Sequence, residues 1–257
     1  VTPYDSWLDT RCAPYIDLMR REAENQIILK TGNPPSFNHG PKILWWRHER
    51  PAIYHTIVSF VQPGGYAVMR LCGLAAAEAF VDHTYLHFSG FADNAAGRWD
   101  ETLTSRFDLP LAKLPRIVAP QAVVGTVAGE AARRTGLSPE TVVAAGLGDT
   151  AASFLAAGAV REGVCVDVAG SASVFAGTVA SFRPDTGAKM LGLGRSAVAG
   201  LWHPYAYIAG GGLNLEWFRE QVAGRRGEPP SLEDLSALAE RVEKEIDRLK
   251  KIPPMSP

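Results

Sequence analysis

Apolar positions fall in short runs punctuated by glycine, proline and small polar residues, and the spacing within each run predicts its element. From Pro14, the residues Ile16, Met19, Ala23 and Ile27 follow the three-and-four repeat of a helix with one buried face. Pro14 is tolerated in its first turn and Gly32 stops it, after which Asn33-Pro34-Pro35 forces extended backbone. Residues 41–49 predict a second helix, whose adjacent Trp45 and Trp46 cannot face one direction, so one of them is expected in the core. A third helical segment is expected over 51–61, and a turn at Gln62-Pro63-Gly64-Gly65.

The pattern changes over residues 142–177. Residues 141–145 have the length and β-branched content of a buried strand, and Gly146-Leu147-Gly148 lets the backbone turn sharply into a helix. That helix, over 151–160, is mostly Ala and Gly with Phe154 and Leu155, and Gly163 ends it. Residues 164–168 predict a second strand and 174–179 a third, joined by the turn Gly170-Ser171-Ala172-Ser173. Residues 231–251 predict an amphipathic helix with Ser231 as N-cap and Leu232, Leu235, Leu238, Val242, Ile246 and Leu249 on one stripe.

Composition narrows the class without naming an activity. With 257 residues, 46% hydrophobic and 21% charged, the chain has room for one large domain or two small ones. A formal net charge of −1 offers no electrostatic footprint for nucleic acid or an anionic membrane, so neither partner is expected. Cys12, Cys72 and Cys165 are odd in number and widely spaced, which fits buried thiols in a reducing compartment, by default the cytoplasm. No apolar run reaches the roughly eighteen residues of a membrane span.

Three stretches carry candidate chemistry. Asp149, at a strand-to-helix turn, can cap free backbone N–H groups or present a carboxylate to a ligand, and both uses need the same position. The N–H groups and hydroxyls of Gly170 to Ser173 can cradle a phosphate. Trp7, Asp9 and Arg11 alternate, so in an extended segment they face one way, as an aromatic plate with polar groups for a polyol or as a surface Asp–Arg pair. Asp82, His83 and His87, flanked by Tyr85, Leu86 and Phe88, read as packed or surface residues, not a metal site. The triplet Gly210-Gly211-Gly212 is by itself a weak nucleotide-loop signal.

A strand, a Gly-rich turn with Asp, a small-residue helix ending Gly-Ala-Val, then a strand and a second small-residue turn resembles the central signature of the FGGY carbohydrate kinases. Trp7-Leu8-Asp9-Thr10-Arg11 resembles that family's W-x-D-x-R segment, and Lys42, Trp45, Glu49, Pro51, Phe60, Pro63, Tyr66, Arg70, Leu71 and Gly73 follow its next motifs. Two places depart from it. Leu147 replaces a usual glycine, and Ser171-Ala172-Ser173 stands where Thr-Ser-Gly is common.

The resemblance implies an α/β fold of the actin-like, ribonuclease-H-like kind, incomplete here, with residues 1–163 part of a sugar-binding domain and 164–257 the start of a nucleotide-binding domain. It implies Asp149 as the base that deprotonates the sugar hydroxyl and Trp7, Asp9, Arg11 and Asp149 as sugar contacts. Gly170, Ser171, Ala172 and Ser173 are implied at the ATP phosphates, with Mg²⁺ as the second cofactor and its ligands unassigned. Residues 210–212 become a structural element at the start of the second domain. The implied activity is ATP-dependent phosphorylation of a ketopentose or related polyol, with a small-molecule sugar as partner and a homodimer as a possible assembly. Members are about twice this length, and a D-x-G-T segment expected to help hold Mg²⁺ is nowhere in the sequence, so the chain is expected to be a central portion with negligible activity alone. Two alternatives stand beside this: a catalytically inactive sugar-binding or assembly remnant of the same fold, and an unrelated nucleotide-binding enzyme in which residues 146–149 are only a turn and cap.

Overall fold

Pro14 and Gly32 bracket the first helix as the sequence predicts, in a computed structural model that describes residues 2–170, 173–208 and 210–250. Helix α1 (Ala13–Thr31) buries Ile16, Met19, Ala23 and Ile27 on one face and ends on Gly32 at φ 94°. Its partner is α2 (His39–Glu49); Met19, Ala23 and Ile27 meet Ile43 and Leu44, and Phe91, Leu103 and Phe107 close the cluster. Trp45 and Trp46 are both buried, where one was expected. They meet edge to face with ring centroids 5.1 Å apart, an arrangement worth about 0.5–1.5 kcal/mol beyond area burial. The second tryptophan finds cover because the N-terminal segment lies over the helix. The Arg11 guanidinium sits 4.2 Å from the Trp45 ring, and Asp5 accepts the Trp46 indole N–H at 2.5 Å.

The helix expected over 51–61 is shorter. α3 (Pro51–Thr56) ends at extended Ile57, where Lys113 Nζ donates to the carbonyls of Tyr54 at 2.9 Å and Ile57 at 2.6 Å. The turn expected at residues 62–65 is instead the start of α4 (Pro63–Cys72), because proline in the first turn forfeits only an N–H that a helix leaves free.

Short strands follow: β1 (Phe80–Asp82), β2 (Ala92–Asp93), β3 (Arg98–Trp99) and, after α5 (Glu101–Arg106), β4 (Arg116–Val118). β1 and β4 pair in parallel with Phe80 opposite Arg116, and β2 and β3 pair antiparallel. β5 (Val123–Thr126), α6 (Gly129–Thr135) and β6 (Val142–Ala144) come next, with β5 and β6 antiparallel and a bulge between Val123 and Gly125. The strand expected over 141–145 exists but is not buried throughout. Ala145 joins Met69, Ala79, Phe80 and Val124 in a core, whereas Val142 is 65% exposed, since β5 and β6 form a two-stranded ribbon among the described residues.

Helix α7 (Asp149–Ala156) starts two residues before the predicted one and stops earlier, with Gly158 at φ 82° turning the chain. A four-stranded sheet is built from β7 (Val166–Ala169), β8 (Ser173–Ala176), β9 (Gly192–Arg195) and β10 (Trp202–Ile208) in the order β7-β8-β10-β9. Phe154 of α7 packs with Val166 and Ala176 of this sheet, which explains the small residues around it. The third predicted strand stops at Ala176, and Val179 returns only as an isolated bridge to Trp202. Of the three cysteines expected to be buried, Cys12 is buried, Cys72 half-buried and Cys165, just before the edge strand β7, exposed.

Two contacts join distant parts of the chain. The Gly32 carbonyl accepts the Leu193 N–H at 2.9 Å, and the Asn33 amide donates to the Tyr205 hydroxyl at 2.9 Å.

The described residues fall into two compact units. One comprises residues up to Val168 together with Val174–Tyr207; the other comprises Ala169, Gly170, Ser173 and the residues from Ile208 onward. The second contains α8 (Gly211–Gln221) and α9 (Leu232–Lys250). Ser231 caps α9 as predicted: its hydroxyl accepts the Asp234 N–H at 3.1 Å and donates to the Asp234 carboxylate at 2.7 Å. Leu232, Leu238, Val242 and Ile246 of the predicted stripe are exposed, while the side chain of Leu249 and all of Lys251 lie outside the described residues. No helix among the described residues is long and apolar enough to cross a membrane.

Candidate active site

The turn ahead of α7 is held from below by the segment that follows β1. Gly148 occupies the N-cap position with extended backbone, and its N–H donates to Thr84 Oγ1 at 2.9 Å. A Cβ at residue 148 would lie 3.3 Å from Thr84 Oγ1 and equally close to the Tyr85 ring, so glycine is what lets the turn close on them. Thr84 in turn donates its hydroxyl to Asp82 Oδ1 at 2.5 Å and its backbone N–H to the same oxygen at 2.8 Å. Asp82 is buried; burial pushes its carboxyl up, and the Thr84 bonds oppose that shift. Sequence reasoning left Asp82 without a role. The signal that could have found one is the short Asp-x-Thr spacing, which suits a carboxylate receiving both donors of one threonine.

Asp149 stands at the first position of α7 with its side chain exposed. Its Oδ1 accepts the Thr150 N–H at 2.7 Å, and α7 has no side-chain cap from its N-cap residue. Its second oxygen has no hydrogen-bond partner among the described residues. Tyr85 lies beside it. Burial first, then the negative charges of Asp149 and Asp82 and the proximity of Tyr4, push its hydroxyl up to about 12, so it remains a neutral donor.

The other predicted sugar contacts, Trp7, Asp9 and Arg11, do not form the extended, one-sided row their spacing suggested. Asp9 N–H donates to the Ser6 carbonyl at 3.0 Å, closing a turn at Trp7-Leu8 that breaks the alternation. Arg11 Nε then folds back onto Asp9 at 2.9 Å, while its Nη2 reaches Asp5 at 2.9 Å. The Arg11 hydrogen bonds hold the Asp9 carboxyl down at about 2. An exposed ion pair of this kind contributes under about 1 kcal/mol, so its importance is geometric: it shapes the segment. Trp7, 59% exposed, is the outward-facing member of the three.

The first turn of α2 connects these two regions. Lys42 Nζ donates to the carbonyls of Ser6 at 2.8 Å and Asp9 at 2.9 Å, fixing the N-terminal segment. One turn earlier, the ring of His39 lies 5.9 Å from that of Tyr85. Burial, then the charge of Lys42, lowers His39 to about 4. Tyr4, Tyr85, His39 and Asp149 thus lie in one neighbourhood of the first unit, with the Asp9–Arg11 pair tied to it through Lys42.

The predicted phosphate turn belongs to the second unit. Ser171 and Ala172 lie outside the described residues; Gly170 and Ser173 flank them. The Gly170 carbonyl accepts the Gly212 N–H at 2.8 Å, and a Cβ on Gly212 would come within 2.9 Å of that oxygen. The glycine triplet therefore allows α8 to start directly against the turn, a close approach that only residue size in the sequence hinted at. Among the described residues no group of three or more His, Cys, Asp or Glu is placed to hold a metal ion, so the structure assigns no Mg²⁺ ligand.

Residues 1–156 match the N-terminal domain of the FGGY family of carbohydrate kinases. A xylulose kinase of Streptomyces coelicolor is 32% identical over 173 residues, which cover 65% of this chain and 34% of that protein. A probable L-xylulose kinase of Pasteurella multocida is 29% identical over 196 residues, 75% of this chain and 38% of the other. The crystal structure of xylulose kinase from Rhodospirillum rubrum superposes with a TM-score of 0.79 at 28% identity, covering 88% of this chain and 46% of that one. The fold is thus the α/β, actin-like architecture of sugar kinases, and the chain spans between about a third and just under half of the length of these relatives.

Proposed function

Because the chain belongs to the FGGY family of carbohydrate kinases, we propose that it carries the acceptor-binding part of an enzyme that phosphorylates a sugar hydroxyl with ATP. The observation that carries this reading is the exposed Asp149 carboxylate on a turn clamped by Thr84 and Asp82. In the reaction, the sugar hydroxyl gives its proton to Asp149 as its oxygen bonds to the γ-phosphorus, and the bond from that phosphorus to the bridging oxygen breaks to leave ADP. ATP supplies the phosphoryl group. Trp7 offers a ring to the C–H face of the sugar, and Arg11 with Asp9 shapes the segment that presents it. Gly170 and Ser173, with Ser171 and Ala172 between them, receive phosphate oxygens. Residues 1–163 serve the sugar and 164–257 begin the nucleotide side. Names of the relatives, xylulose kinases among them, support a ketopentose as the acceptor.

The test is xylulose-dependent ADP formation by the full-length gene product; no turnover with xylulose or other ketopentoses removes the reading. Within the same assay, Arg11→Ala should raise the sugar KM by about tenfold or more and leave the ATP KM near the parent value, since the segment it braces touches only the acceptor. Equal changes in both constants would count against that placement.

Thr84→Val offers a second check on the clamp. It strands the buried Gly148 N–H, a loss of about 1–3 kcal/mol, and frees the turn that carries Asp149. Thermal melting should fall and kcat should drop with little change in sugar KM, while Thr84→Ser, which keeps the hydroxyl, recovers both. A valine variant with parental kcat would show that the clamp does not position the carboxylate.

A further inference from the structure

We propose that His39 and Tyr85 select the acceptor, contacting hydroxyls next to the one that Asp149 takes and favouring an uncharged polyol over a sugar acid of the same length. The proposal rests on the reading of Asp149 given above. Tyr85 packs against the Cα side of Gly148, immediately before Asp149, and His39 faces Tyr85 with ring centroids 5.9 Å apart. Tyr85 thus stands beside the Asp149 carboxylate with His39 behind it, and both rings are half-buried.

Their chemistry matches a diol. A phenol held protonated donates one hydrogen bond and accepts another. A neutral imidazole has one donor and one acceptor nitrogen, and the Gln62 side-chain amide lies 3.0 Å from both ring nitrogens of His39, where it can fix the tautomer. Together they place two neutral hydrogen-bonding groups side by side.

The surrounding charge works against an acid. The nearby cations are already committed: Lys42 to two backbone carbonyls, Arg11 to Asp9 and Asp5. The carboxylates of Asp149 and Asp82 have no ion-pair partner among the described residues. A carboxylate on the ligand would enter beside two acidic groups with Lys42 and Arg11 already engaged, and like charges so placed are repelled.

The experiment measures binding of xylulose and of xylonate, its five-carbon acid counterpart, to the 257-residue chain by ligand-observed NMR and calorimetry. The parent should bind xylulose at least about tenfold more tightly than xylonate. Tyr85→Phe, which keeps the ring and removes only the hydroxyl, should weaken xylulose by about tenfold. His39→Lys should move the ratio toward xylonate by about tenfold or more, by adding a free cation. Parental affinities and an unmoved ratio in both variants, with melting temperatures unchanged, overturn the proposal. Failure of the parent chain to bind xylulose overturns the proposal together with the acceptor-site reading beneath it. Because binding is read and not turnover, a failure of Asp149 as proton acceptor does not disturb the outcome.

Discussion

Asp149→Asn is expected to lower kcat for sugar phosphorylation by about 10²–10⁴-fold, the usual contribution of a positioned proton acceptor. Attack by a hydroxyl requires its proton to leave, and the amide of asparagine cannot take it. The turn that holds residue 149 takes only the Thr150 N–H bond from its carboxylate: Gly148 is the N-cap, and the tie to the rest of the protein runs through the Gly148 N–H and Thr84. Asparagine can still accept the Thr150 N–H through its carbonyl oxygen, so α7 should start where it does now. Fold and sugar affinity should therefore survive while turnover collapses. Steady-state kinetics of the full-length gene product decide this; a variant within about threefold of parental kcat ends the catalytic assignment and leaves Asp149 a local turn residue.

The largest expected effect on stability comes from Gly32→Ala. Glycine here adopts φ 94°, and a Cβ would lie 2.4 Å from the Leu193 carbonyl oxygen, which is backbone and cannot swing away. Two costs add: about 1–2 kcal/mol for a side chain in left-handed backbone and about 1–3 kcal/mol for forcing two packed segments apart. At roughly 2–4 °C per kcal/mol for a chain of this size, the melting temperature should fall by about 5–15 °C. Gly136→Ala separates the two costs. It has φ 78° but nothing within 4 Å of the new Cβ, so it should show only the first. If both variants melt alike, the close approach to Leu193 is not what makes Gly32 necessary.

How far these features could be read from the chain depended on the range of the forces involved. The buried face of α1 and the Ser231 cap were legible because each is a local rule, periodicity in one case and a hydroxyl three residues from an N–H in the other. The position of Asp149 after a glycine turn was legible for the same reason. Burial of both Trp45 and Trp46 was not, since it depends on residues 5–11 crossing the helix, a contact no spacing announces. The same crossing overturned the extended Trp7–Arg11 row. Nor could the exposure of Val142 be foreseen, because a β-branched run reads alike whether or not a further layer lies over it. In the clamp, Thr84 meets Gly148 across 64 positions of sequence, and only the fold brings them together.

The Asn33–Tyr205 hydrogen bond spans 172 positions, and it has a consequence for how the protein is made. As the chain leaves the ribosome, α1 can wind early from its own local contacts, but the Gly32 carbonyl and the Asn33 side-chain amide do not meet Leu193 and Tyr205 until β9 and β10 have emerged. At about 5–20 residues per second, that wait lasts on the order of ten seconds or more. Throughout it, residues 31–33 and the buried face they seal are open to other partners, proteases and chaperones included. A nascent chain arrested before Gly192 should be cleaved near Asn33, and one arrested well after Tyr205 should resist.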